Sequence, residues 1–95
     1  MIRHIVLWRL KPEALSQFAL IKSTLEKQVG RIPGLVRVEV GRNAREGRRA
    51  VDFALTCDFA DRAALEAYHK HPVHHETRAI VDPLAEEHWI ADYEV

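Results

Sequence analysis

The stretch Tyr68-His69-Lys70-His71-Pro72-Val73-His74-His75 gathers the residues of this chain best suited to moving protons. Four of the six histidines fall within it, beside a tyrosine. A neutral imidazole takes up a proton near neutral pH, and a phenol polarises a carbonyl or stabilises an enolate. His74 and Tyr68 together therefore fit proton abstraction beside a carbonyl, leading to cyclisation or isomerisation with no cofactor. A structural reading competes: His71 caps a helix end, and His74 makes a core hydrogen bond with Tyr68. A metal is a third reading. His71, His74, His75 and Glu76 are suitable zinc ligands, but Pro72 splits them and their spacing matches no established motif. No metal site is expected.

Pro72 shapes this corner. Proline cannot continue a helix but fits the first turn of a new one, and it pushes His71 toward extended backbone. One helix is expected to end near Lys70 and another to begin with Val73 and His74 in its first turn. That bend can aim Tyr68 and His74 at the same space.

The remaining elements must hold this corner in place. Ile2 to Leu10 reads as a central strand, apolar on both faces. His4 shares one side with Ile2, Val6, Trp8 and Leu10, and needs a partner such as Asp92 or a ligand, since an unpaired buried polar group is costly. Pro12-Glu13 opens a helix whose stripe is Leu15, Phe18, Ile21, Leu25, Val29 and Ile32; Pro33-Gly34 ends it. A second strand places Val36, Val38 and Val40 on one face. Gly41 to Arg49 reads as an exposed hairpin loop with its arginines in solvent. The third strand runs from Val51 to Phe59, with Phe53, Leu55, Cys57 and Phe59 on one side.

Asp61 fits the N-cap of a helix carrying Ala64, Leu65 and Tyr68. After Pro72, the residues Val73, Thr77, Ile80 and Leu84 space as an amphipathic helix, with His75 facing water. His69 reads as a solvated helix residue. The last strand runs from about Glu87 to Val95, with His88, Ile90 and Asp92 on one face and Trp89, Ala91, Tyr93 and Val95 on the other. Strand, helix, strand, strand, helix pair, strand predicts an α+β domain: a ferredoxin-like βαββαβ antiparallel sheet with helices on one face. The opposite face keeps much apolar surface that nothing in the chain covers. A second copy, sheet to sheet, is the expected partner, giving a homodimer.

Composition narrows the class. Ninety-five residues suit one domain, spanning 1–95. A formal net charge of zero argues against nucleic-acid binding. The single cysteine, Cys57, rules out an internal disulfide and fits a reducing, cytoplasmic setting. It alternates with Leu55 and Phe59 and reads as a small buried group. No apolar run approaches the roughly 20 residues of a membrane span.

Several pieces together resemble the stress-responsive A/B barrel family, a branch of the dimeric α/β-barrel proteins. They are Ile2-Arg3-His4-Ile5-Val6-Leu7, Ile32-Pro33-Gly34, Gly41, Phe59, Tyr68-His69-Lys70-His71-Pro72-Val73-His74 and Asp92-Tyr93. The resemblance implies a dimer whose two sheets close a barrel-like interface, with a pocket in each subunit between helices and sheet. Carried over, its polar groups are His4, Tyr68, His71, His74 and Asp92, and its walls include Val6, Trp8, Ile21, Leu25, Leu55 and Ile90. The family includes a polyketide cyclase that uses a His/Tyr pair, and His74 and Tyr68 stand at those positions. Phe53 and Leu25 replace a histidine and a tyrosine there, which makes this pocket more apolar. Three readings follow: a cofactor-independent enzyme acting on an aromatic or polyketide-like carbonyl compound, a binding protein without turnover, and a stress-linked dimer with a filled, vestigial pocket.

Overall fold

The computed structural model describes residues 1–95. β1 (Ile2–Leu10) lies inside the sheet, between β3 (Phe53–Phe59) and β4 (Ala85–Glu94). β2 (Leu35–Arg42) pairs with β3 on its far side, and every pairing is antiparallel. The order β2-β3-β1-β4 is the ferredoxin-like arrangement expected from the element order. Ile2, His4, Val6, Trp8 and Leu10 are buried on one side of β1, as alternation requires, and the intervening side chains are more exposed. Phe53, Leu55, Cys57 and Phe59 continue that side across β3. Trp8 lies flat on Phe53, with ring centres 4.6 Å apart.

α1 (Phe18–Glu26), α2 (Arg62–Lys70) and α3 (Pro72–Val81) cover this face. The first helical segment is shorter than its apolar stripe implies. A 3-10 turn occupies Pro12–Gln17, and α1 stops at Glu26, leaving Leu15 and Val29 exposed. Gln28 helps to close the helix: both its backbone N–H and its side-chain amide donate to the Leu25 carbonyl, one of the acceptors a helix end leaves open. Gly30 then takes a φ of +85°, which continues no helix.

Two other faces differ from the sequence pattern. The register of β2 shifts between Leu35 and Arg37, so Leu35 rather than Val36 turns inward and Val36 is exposed. In α3 the buried residues are Thr77 and Val81, while Ile80 faces out. The Thr77 hydroxyl donates to the Val73 carbonyl, so it sits in this seam without an unmet hydrogen bond. β3 begins at Phe53 rather than Val51, and the arginine-bearing loop before it is exposed.

Two features hold α2 in place. The Asp61 carboxylate accepts from the Ala64 N–H, capping the helix. Gly34, at φ +82°, lets Ala64 approach so closely that a Cβ there would lie 2.5 Å from the alanine methyl. The other sheet face carries no helix. At its centre Asp58 is buried beneath Arg3 and Arg37, and the Arg3 guanidinium holds its carboxyl below the usual carboxylate range. Around that cluster Leu7, Trp89 and Tyr93 are 37%, 42% and 46% exposed. No helix is long and apolar enough to cross a membrane.

Candidate functional site

A cleft of about 220 Å³ opens between α2, α3 and the sheet. The corner that frames it forms as proline dictates. His71 is extended at φ −74°, ψ 136°, and Pro72 takes the first turn of α3. Tyr68, in the last turn of α2, and His74, in the first turn of α3, are thereby brought together, with ring centres 3.9 Å apart and planes tilted by 39°. The space beside the two rings is open.

Tyr68 is only 1% exposed. Burial pushes its phenol well above the ordinary value, against a smaller opposing effect of a hydrogen bond with Gln28, so the hydroxyl keeps its proton. Burial also lowers His74, to about 4, reinforced by the positive potential of His69, Arg78, His75 and His4. The first turn of a helix disfavours a cation as well. At neutral pH the pair is therefore a neutral imidazole against a neutral phenol. His74 Nδ1 lies 3.4 Å from the Oε1 of Gln28, a wholly buried side chain.

His4 forms the floor beside them. Its Nδ1 is hydrogen-bonded to the carboxylate of Asp92, its cross-strand neighbour on β4. A carboxylate oxygen accepts, so Nδ1–H is the donor in this bond. The His4 ring centre is 6.0 Å from that of Tyr68 and 5.9 Å from that of His69.

The structure brings together on the cleft wall His4, Val6, Trp8 and Leu25, and with them Leu55, Tyr68, His74 and Ile90. Four of the sequence-predicted residues do not reach it. Ile21 and Phe53 are wholly buried in the core behind the wall. Asp92 stands behind His4 as its partner. His71 turns away, because its Nδ1 accepts from the Val73 N–H and caps α3, which is the structural role weighed for it. Several lining residues carry no mark in the sequence. His69, expected to be merely solvated, lines the cleft with its ring centre 6.0 Å from that of His74. Thr77 and Val81 belong to the seam that replaces the Ile80 stripe. Arg78 and Asp82, ion-paired at 3.0 Å, also contribute to the wall, as does the exposed His88. One signal for Gln28 was available: a polar residue three positions after Leu25, beside an apolar stripe.

Cys57 is fully buried and its thiol is pushed up to about 12 by burial, which leaves it a packing residue. The six histidines and the acidic residues form no cluster of three or more groups placed to hold a metal ion.

A four-stranded antiparallel sheet in the order β2-β3-β1-β4, with helices on one side and a histidine-lined cleft beneath them, defines the ferredoxin-like α+β class. Within that class the chain belongs to the stress responsive A/B barrel domain family, whose model matches residues 2–95. A Bacteroides fragilis protein, described as dimeric, ferredoxin-like and of unknown function, superposes with a TM-score of 0.86 at 27% identity, covering 99% of this chain and 95% of its own. A family member from Mesorhizobium loti gives 0.81 at 27% identity, with the same coverage of both chains. A dimeric ferredoxin-like protein of unknown function from Thermobifida fusca gives 0.80 at 26%, covering 99% of this chain and 90% of its own. Comparison with curated protein sequences finds no match.

Proposed function

We propose that the cleft binds a small, partly aromatic or polyketide-like carbonyl compound, and that His74 and Tyr68 move a proton on it without a cofactor. The observation that carries this reading is the contact of a neutral imidazole with a protonated phenol on the wall of one open cleft. The imidazole accepts the proton from the carbon beside the carbonyl. The Tyr68 hydroxyl hydrogen-bonds the oxygen on which enolate charge develops. The proton then returns to carbon, for isomerisation, or the enolate carbon attacks a second carbonyl, whose oxygen takes the proton back from His74, for cyclisation. Val6, Trp8, Leu25 and Ile90 supply an apolar surface suited to a ring or an alkyl chain. A cavity of about 150 Å³ already takes up benzene, so a one-ring ligand fits the volume here.

The working unit in this reading is a homodimer. Leu7, Trp89 and Tyr93 on the open sheet face support it, as do the dimeric relatives from Bacteroides fragilis and Thermobifida fusca.

The test needs no knowledge of the natural substrate. Aryl ketones and 1,3-dicarbonyl compounds are incubated with the protein in D2O, and deuterium uptake at the carbon beside the carbonyl is followed by NMR. Uptake above buffer that disappears in a folded His74→Ala variant is the expected result. Thermal stabilisation by these compounds without uptake would make the protein a binder without turnover, and the absence of both effects would overturn the proposal.

A further inference from the structure

Gln28 is not among the residues that the sequence pattern or the family resemblance marks for the site. It is nonetheless completely buried, and its Oε1 lies 3.4 Å from Nδ1 of His74. We infer that Gln28 is a positioning residue that fixes His74 as the Nδ1–H tautomer, so that the free Nε2 lone pair is the one available as base. The inference rests on the reading of His74 as the proton acceptor and adds the group that selects which nitrogen acts.

The hydrogen bonds leave one arrangement. Gln28 Nε2 lies 3.0 Å from the Leu25 carbonyl oxygen, which can only accept, so the NH2 end of the amide must face Leu25. Oε1 is thereby turned to the other side, where it lies 3.4 Å from His74 Nδ1. An amide oxygen also only accepts, so Nδ1 must carry the hydrogen. In a neutral ring Nε2 is then bare. The anchor is rigid, because Leu25 is itself buried and its carbonyl ends α1. One side chain from the turn after α1 thus ties the last turn of α1 to the first turn of α3.

A ring without this partner would favour the opposite tautomer, as free neutral histidine does in water, and the bare nitrogen would then face protein. Hydrophobic packing supplies no such selection. Leucine in place of Gln28 would fill similar space and leave both tautomers open.

The test is the tautomer itself, read at pH 7 by long-range 1H–15N NMR on protein labelled at histidine, with the His74 signals identified by their loss in His74→Ala. Wild type is expected to show His74 almost wholly as Nδ1–H. In Gln28→Leu the signals shift toward the Nε2–H form. A wild-type His74 found as Nε2–H overturns the inference outright, whether or not Gln28→Leu folds. So does a folded Gln28→Leu with an unchanged tautomer. The measurement involves no substrate, so a failure of the deuterium-exchange experiment and a failure here are separable. Where exchange activity is present, Gln28→Leu is expected to lower kcat at least 10-fold with little change in KM, whereas a purely structural loss would appear as unfolding without that split.

Discussion

Replacing His74 by glutamine is expected to flatten the dependence of stability on pH below neutrality. His74 is held at about 4 in the folded protein, against an ordinary value of 6.5. Between those two values the unfolded chain binds a proton that the folded chain refuses. Stability from this residue is therefore intact above pH 6.5, falls as the pH drops through 6 and 5, and is fully lost near pH 4. At 1.36 kcal/mol per pH unit, full linkage would be about 3.4 kcal/mol. The ring is only half-buried beside an open cleft, so solvent screening reduces this to about 2 kcal/mol at pH 4 and about 1 kcal/mol at pH 5. The assay is urea unfolding of wild type and His74→Gln at pH 7.5 and 5.0, at equal protomer concentration because association shifts apparent stability. With a slope of about 1–2 kcal/mol per molar urea, the wild-type midpoint should fall by about 0.5–1 M more than that of the variant. Glutamine loses the ring contact with Tyr68, so the variant is less stable at every pH; only the slope bears on the claim. Parallel midpoints in the two proteins would refute it.

Three further outcomes follow from particular contacts. Leu7→Asp sets a carboxylate on the open sheet face, opposite Trp89. If a second copy covers that face, an unpaired buried charge costs about 3–5 kcal/mol and light scattering should report a monomer; a variant that stays dimeric places the partner elsewhere. Gly34→Ala combines a left-handed backbone, costing about 1–2 kcal/mol for an L-residue, with a methyl 2.5 Å from that of Ala64. The expected loss in urea unfolding is at least about 2 kcal/mol, and a loss below about 0.5 kcal/mol would mean that α2 slides away freely. Asp61→Ala removes the N-cap of α2; a cost of about 1 kcal/mol should lower Tm by about 4–8 °C, and an unchanged Tm would show that the cap contributes nothing.

The sheet was legible because its information is local and periodic. Alternation along Ile2–Leu10 and Phe53–Phe59 identifies one buried face, and element order limits the topology to very few choices. Departures arose where a single backbone event outranks the pattern. The β2 bulge exchanges Leu35 for Val36, and nothing in a run of alternating valines announces it. The stripe that continued through Val29 to Ile32 is truncated because the Gln28 side chain and Gly30 together stop α1, after which Ile32 is buried from a turn and not from a helix. In α3 the choice between Ile80 and Val81 depends on the roll of a ten-residue helix about its axis. Hydropathy alone would favour isoleucine. The roll instead follows from seating His74 against Tyr68, which leaves Thr77 and Val81 inward and Ile80 outward.

The site was legible to the extent that one residue type in one backbone context determined a direction. Pro72 did so for Tyr68 and His74, and the strand register did so for His4 and Asp92. His71 shows the limit: the same proline that aims His74 inward makes the preceding residue extended, and that conformation suits a cap better than a ligand contact. His69 and Arg78 reach the site across elements, and no spacing within the chain records such an encounter; for Gln28 the only trace is its place three residues after Leu25. Their effects nevertheless reinforce one another. His69 and Arg78 add positive potential, burial withholds water, and all three influences act against an imidazolium at His74. His4 has the carboxylate of Asp92 as its hydrogen-bond partner. His74 has instead a neutral amide, a neutral phenol and cationic neighbours, surroundings that keep the ring unprotonated at neutral pH.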